Sequence, residues 1–328
     1  MKVPHKTSDE ITPQRSKGDT MDYRSLGNSG LRVSVAGLGC NNFGMRIDYE
    51  KTVEVIDAAI ESGINFLDTA RMYGGGKSEE FMGKALKGKR DQVILATKFG
   101  GPTKPNDATG SRAHLMRSIE TSLRALDTDY VDLLQLHYPD PATPIEETLS
   151  ALTDLVRQGK VRYVGCSNFT GYMVADAHWV AKTRGLEPFV SVQNEWSLLN
   201  RSMEVEVTAA CAKFGAGVLP FFPLASGVLT GKVRRGQSPP EGSRLNASYF
   251  QSALNDDNFD KLDRLEAWGA DRGRSLTEIA LSWLASQPVV SSVIAGATSA
   301  EQVKTNASLT KTDLTPEEIA EIGDIVGK

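Results

Sequence analysis

In NFLDTARMYGGGKSEE, residues 65–80, an apolar run stops on Asp68, and Tyr73 follows five residues later, just ahead of three glycines. A run that starts apolar without alternating reads as a strand buried on both faces, the pattern of parallel sheets. Its abrupt end on an acid and a glycine-rich turn also suits an ordinary turn covering a core, because Asp and Gly are common loop residues. The rest of the chain decides between these readings.

Seven more runs of the same kind surround it: SVAGLG (34–39), VILATKFG (93–100), VDLLQLH (131–137), VRYVGCSN (161–168), FVSVQNEW (189–196), GVLPFFPL (217–224) and SVIAGA (292–297). Amphipathic helical patterns separate them. EKTVEVIDAAIESG carries Val53, Ile56, Ala59 and Ile60 on one face and stops at Gly63; PIEETLSALTDLVRQGK carries Leu149, Leu152 and Leu155 and starts from Pro144. SRAHLMRSIETSLRAL, GYMVADAHWVAKTRG and EVEVTAACAKFG behave similarly. Eight strands, each followed by helical sequence, predict an α/β fold of the (β/α)₈ TIM-barrel type. MDYRSLGNSGLRVS predicts an N-terminal β-hairpin that plugs one end, turning at Asn28-Ser29-Gly30. An open doubly wound sheet is the alternative, but no GxGxxG follows any strand, and GLGCNNFG has the wrong spacing. Residues 1–20 are polar throughout and read as a disordered lead-in, leaving 21–328 as a single barrel. A long polar segment after the seventh strand reads as a lid or an excursion.

Composition narrows the function classes. The 328-residue chain is 40% hydrophobic and 24% charged, with a net charge of -4, and shows no basic stripe of the kind that binds nucleic acid. No run reaches the ~18 apolar residues of a membrane span. The lead-in lacks the apolar centre of a secretory signal. Cys40, Cys166 and Cys211 are an odd number without CxxC, which fits neither a disulfide framework nor a metal site and points to a reducing cytoplasm.

The active face of a barrel lies at the C-terminal ends of its strands, so polar residues interrupting the runs there are informative. Asp68 ends one, Lys98 lies in the next, and His137 ends the next. Ser167 and Asn168 close another, and Gln193 to Glu195 interrupt the one after, ahead of Trp196. Any one of these reads more simply as a satisfied strand end. A buried lysine, however, needs a carboxylate, and Asp68 is on the adjacent strand. An ammonium beside a phenol is expected to lower the phenol's pKa from about 10, so Lys98 would tune Tyr73, Asp68 would hold Lys98, and His137 would aim a carbonyl oxygen at Tyr73. The set supplies an acid and an oxygen-binding site but neither nucleophile nor reductant.

These residues resemble the aldo-keto reductase superfamily, in the branch close to potassium-channel β-subunits, from Met21 to the C-terminus. DTARMYGGGKSE resembles its Asp–Tyr signature, LATKFG its lysine strand and LLQLHYPDP its histidine strand. GKVRYVGCSNF and VQNEWSLLNR are similar to its cofactor strands, and FFPLASGVLTGK and VIAGATSAEQVKTN to the segments holding the far end of the cofactor. The resemblance implies NADPH-dependent reduction of a small aldehyde or ketone, with NADH the less favoured cofactor and no metal. It implies Tyr73 as general acid supported by Asp68, Lys98 and His137. Ser167, Asn168 and Gln193 would hold the nicotinamide amide, and Trp196 would stack on its ring. Pro223, Leu224, Gly227, Leu229, Lys232, Gly296, Thr298, Ser299, Gln302 and Asn306 would hold the remainder. At Gly296 and Gln302 the chain departs from relatives that carry a Lys and an Arg for the 2′-phosphate; Lys232, Arg234 and Arg235 are expected to offset that loss. Phe43, Met45, Met72 and Tyr138 are expected to form apolar substrate walls without an arginine cluster.

Two other readings stay open. Lys98 as a Schiff-base nucleophile is disfavoured by Asp68, which keeps the amine protonated. A cofactor-binding regulatory barrel like the channel β-subunits differs from an enzyme only in turnover. The sequence does not indicate an oligomeric state.

Overall fold

The computed structural model describes residues 21–101, 108–241, 243–247 and 251–327. The expected lead-in over residues 1–20 lies outside them. A hairpin of β1 (Tyr23–Ser25) and β2 (Arg32–Ser34) precedes the main sheet, with pairing from Tyr23–Ser34 to Ser25–Arg32. Its loop is anchored across the barrel bottom, where Asn28 N donates to Gly215 O at 2.8 Å. Gly27 sits at φ 54°, and a Cβ there would fall 2.5 Å from the carbonyl oxygens of Val190 and Gly215, so only glycine fits.

Eight parallel strands follow: β3 (Ala36–Gly39), β4 (Phe66–Asp68), β5 (Ile94–Phe99), β6 (Val131–Leu136), β7 (Val161–Ser167), β8 (Ser191–Gln193), β9 (Gly217–Val218) and β10 (Val293–Gly296). They pair in chain order, with β10 beside β3. Parallel bridges Val218–Val290 and Phe221–Ile294 join the two ends of the sheet, closing the (β/α)₈ barrel. The strands lie where the apolar runs predict them but are shorter, and GVLPFFPL retains only two strand residues because Pro220 has no N–H to donate.

The helices cover the outside. In Tyr49–Glu61 the buried residues are Thr52, Val55, Ile56, Ala58 and Ala59, while Val53 and Ile60 are half-buried, a face turned slightly from the expected one. In Ile145–Arg157 Leu149, Leu152 and Leu155 are fully buried, as the pattern predicts. EVEVTAACAKFG is helical only over Val207–Phe214, its start being part of a 3₁₀ turn. Each fully buried Leu or Ile stabilises the barrel by roughly 1.5–3 kcal/mol. Within that core the strand-end polar groups are held on one rim.

Candidate active site

A cavity of about 980 Å³ opens at the C-terminal ends of the strands. Asp68, the last residue of β4, is 2% exposed, and Lys98 on β5 is 1% exposed. The Lys98 Nζ donates to Asp68 Oδ2 at 2.5 Å, to the Thr69 carbonyl at 3.0 Å and to the Tyr73 hydroxyl at 3.5 Å. Tyr73 reaches that point through the turn Tyr73–Gly76, in which Gly74, Gly75 and Gly76 all have positive φ. A Cβ at Gly76 would sit 2.1 Å from Arg71 Nη1, so the third glycine lets Arg71 fold beneath the turn towards Glu79, 3.8 Å away. The glycine cluster thus sets the tyrosine against the lysine.

His137 follows β6, its ring 5.9 Å from the Tyr73 ring and edge-on to it, and it stacks on Tyr138 at 4.8 Å. Burial, reinforced by the Lys98 charge, lowers the His137 pKa to about 3. The imidazole is therefore neutral at physiological pH and able to donate one hydrogen bond.

The electrostatics of Tyr73 differ from the expectation. Burial raises its pKa above that of a free phenol, and the opposing charge of Lys98 does not cancel the rise. The phenol therefore holds its proton. Burial acts to lower the Lys98 pKa, but the charges and hydrogen bonds of Asp68 and Tyr73 outweigh it and raise the value, so the ammonium stays charged.

Asp68 Oδ1 accepts from two amides, Gln135 Nε2 at 3.0 Å and Gln193 Nε2 at 3.1 Å. Ser167 Oγ donates to the Gln193 carbonyl at 2.6 Å, and Asn168 Nδ2 donates to the His137 carbonyl at 2.9 Å. Asn168 adopts φ 60°, a left-handed conformation that Asn tolerates better than most residues. Ser167, Asn168 and Gln193 all line the cavity, as do Pro223, Leu224, Gly227, Lys232, Gly296, Thr298, Ser299, Gln302 and Asn306. Ser299 caps the helix Ala300–Leu309, whose N-terminus therefore faces this end of the cavity.

Several expected residues lie elsewhere. Trp196 is 1% exposed and packs edge-on against Trp283, its Nε1 donating to Glu204 at 3.0 Å. Extended backbone alternates: Gln193 bonds inward to Asp68 and Glu195 lines the cavity, so Trp196 falls on the outer face. The aromatic wall comes instead from Phe221 and Phe222. Counting the alternation onward from Gln193 is the signal that exposes the misplacement. Leu229 and Phe43 are fully buried in the core and do not line the cavity. Met45 is 63% exposed and also lies off it, so of the four expected wall residues only Met72 and Tyr138 line the cavity.

The cations are likewise rearranged. Arg234 pairs with Glu266 and Arg235 with Asp256 and Asp260, so neither lines the cavity; Lys232 does. Arg46 and Arg244 both line it, against the expectation of walls without an arginine cluster. Arg244 Nη2 donates to Asn42 Oδ1 at 3.1 Å, bringing the segment after β9 onto the rim of β3. No local motif marks Arg244, because its place depends on how a long segment folds back.

Among the described residues no group of three or more His, Cys, Asp or Glu is placed to hold a metal ion, and no helix is long and apolar enough to cross a membrane.

Residues 36–326 match the sequence model of the aldo/keto reductase family. A probable voltage-gated potassium channel subunit beta of Oryza sativa is 36% identical over 318 residues, 93% of this chain and 97% of that protein. An uncharacterized oxidoreductase of Bacillus subtilis, YrpG, is 35% identical over 318 residues, 93% of this chain and 96% of its own length. The aldo-keto reductase dtxS3 of Metarhizium robertsii is 35% identical across 80% of each chain.

Proposed function

This chain belongs to the aldo/keto reductase family and is an oxidoreductase, and from that premise we propose that it reduces aldehydes and ketones to alcohols with NADPH, Tyr73 supplying the proton. The observation that carries the reading is the placing of Lys98 Nζ between Asp68 and Tyr73, at 2.5 and 3.5 Å, beside a neutral His137 in the wall of one cavity.

The chemistry follows from these charges. A raised Tyr73 pKa keeps the phenol protonated and ready to donate. A carbonyl oxygen held by His137 beside Tyr73 takes that proton as negative charge develops on it, and the ammonium of Lys98 stabilises the phenolate left behind. Asp68 fixes the ammonium in place. A nicotinamide cofactor held against Ser167, Asn168 and Gln193 would supply the hydride that the protein's own side chains lack.

The wall residues suit that cofactor. Its carboxamide would lie against Ser167, Asn168 and Gln193, with Phe221 giving the aromatic face assigned above to Trp196. Pro223, Leu224, Gly227 and Lys232 would follow the diphosphate. Gly296, Thr298, Ser299, Gln302 and Asn306 would take the adenosine end, where a helix N-terminus favours anionic groups. Gly227, at φ 109° with open space where a Cβ would stand, leaves room for close approach. Preference for NADPH over NADH is supported by Lys232 and Arg244 in the wall.

Small aliphatic and aromatic aldehydes suit Met72, Tyr138 and Phe222, and Arg46 makes carboxylate-bearing aldehydes a necessary member of any substrate panel. A second reading, a cofactor-binding regulatory barrel, is favoured by the channel-subunit names of the Oryza sativa and Arabidopsis thaliana relatives, each 36% identical. NADPH oxidation across alkyl, aryl and carboxylate-bearing aldehydes separates the two. Turnover on several of them supports the enzyme; tight NADPH binding with no turnover on any supports the regulator.

A further inference from the structure

Gln135 and Asp132 are the two polar residues of the fully buried strand β6, and Gln135 is itself 0% exposed. It stands in register with Lys98 on one side and Gly165 on the other. A Cβ at Gly165 would lie 3.3 Å from Gln135 Cγ and 2.2 Å from Ser191 Oγ, so the glycine makes the space through which the glutamine reaches Asp68. Its Nε2 donates to Asp68 Oδ1 at 3.0 Å. Its Oε1 is buried and has no hydrogen-bond partner among the described residues. That orientation follows from the neighbour, since the opposite flip would set an amide oxygen against a carboxylate.

Stability does not account for this side chain. The cost of the orphaned acceptor offsets what the bond to Asp68 contributes, and Met, of nearly equal length, would fill the same space without polar atoms. Gln135 also differs from Gln193, the other donor to Asp68 Oδ1. Gln193 lines the cavity and shares in whatever binds there, whereas Gln135 lies behind the wall.

We propose that Gln135 is a positioning residue for proton delivery: it fixes one oxygen of Asp68 so that the other faces Lys98, and it draws off part of the carboxylate charge that Tyr73 would otherwise feel. The inference rests on the reading of Tyr73 as the acid. The groups bearing on Tyr73 are Lys98 from β5, Asp68 from β4, His137 and Tyr138 after β6, and Arg244 from the segment after β9. Cys40, after β3, faces Asp68 and Lys98. The Asp68 charge works to raise the Tyr73 pKa, so a donor that spreads this charge moderates the rise.

The test is Gln135→Met, read in two ways. The first is the titration of the Tyr73 phenol by phenolate absorbance, taken as the difference between each protein and its Tyr73→Phe counterpart. The second is the pH profile of alcohol oxidation with NADP⁺, which requires the phenolate. We expect an unchanged melting temperature, a Tyr73 titration moved up by roughly half to one pH unit, and an oxidation limb moved the same way. KM for NADP⁺ should stay the same. A titration and a limb that coincide with wild type would overturn the inference. Should Gln135→Met fail to fold, Gln135→Leu, which also removes the donor without adding a titratable group, should move the titration the same way; no movement there overturns it equally. The absorbance titration needs no turnover, so a wild-type protein without Tyr73-dependent activity would sink the proposed reaction while leaving Gln135 still decided by the phenol.

Discussion

The lowered pKa of His137, about 3, makes the folded protein unable to take a proton that the unfolded chain accepts near 6.5. Between those values the unfolded state binds more protons, so stability falls as pH falls, by up to about 1.4 kcal/mol per pH unit for this one group. His137→Gln should flatten the urea-denaturation stability measured from pH 6.5 down to 4; an unchanged slope would mean that other groups carry the acid sensitivity. Lys98 and Asp68 form a buried pair, their side chains 0% and 3% exposed. Lys98→Met should therefore destabilise the fold by about 3–5 kcal/mol, because it leaves a buried carboxylate unpaired. It should also cut turnover at least a hundredfold, and both losses are readable from urea midpoints and kcat. The placing of Asp68, Lys98 and His137 on one rim was legible in the sequence because a polar residue that interrupts or ends a buried strand needs a reason to be there, and Tyr73 stood out by following Asp68 ahead of a glycine cluster. The sign of the Tyr73 shift was not, since it depends on how far burial outweighs one nearby ammonium.

At the level of elements, the turn Tyr73–Gly76 does more than end a strand. Gly76 has φ 98°, and its missing Cβ is what lets Arg71 fold beneath the loop that carries the tyrosine. Gly76→Ala should cost about 1–3 kcal/mol of stability through the strained conformation and lower kcat at least tenfold, with KM for NADPH little changed. A variant with wild-type kcat would show that the turn does not set the tyrosine. The strands and most helices were readable because their apolar runs and 3.6-residue faces are local features. Trp196 was misplaced because resemblance by position ignored the two-residue alternation, which turns its ring away from the cavity and against Trp283. Arg244 escaped notice for the opposite reason: its contact with Asn42 joins positions 202 residues apart.

Across the whole molecule the barrel brings eight strand ends to one rim, and the cavity runs from Tyr73 and His137 to Gln302 and Asn306. Lys232 and Arg244 in that span are what the proposed cofactor preference rests on. kcat/KM should favour NADPH over NADH, and Arg244→Ala should reduce that ratio about tenfold or more, the scale of one charge-assisted hydrogen bond to a phosphate. Equal use of both cofactors by the wild type would point instead to the absence of cations at Gly296 and Gln302. The proton donor is the claim on which the rest depends. Its most direct test is NADPH oxidation with an aryl aldehyde by the wild type and by Tyr73→Phe, with NADPH affinity measured in parallel by fluorescence quenching. The account predicts turnover lower by about 10²–10⁴ in the variant with cofactor affinity unchanged; a variant within tenfold of wild type would contradict it.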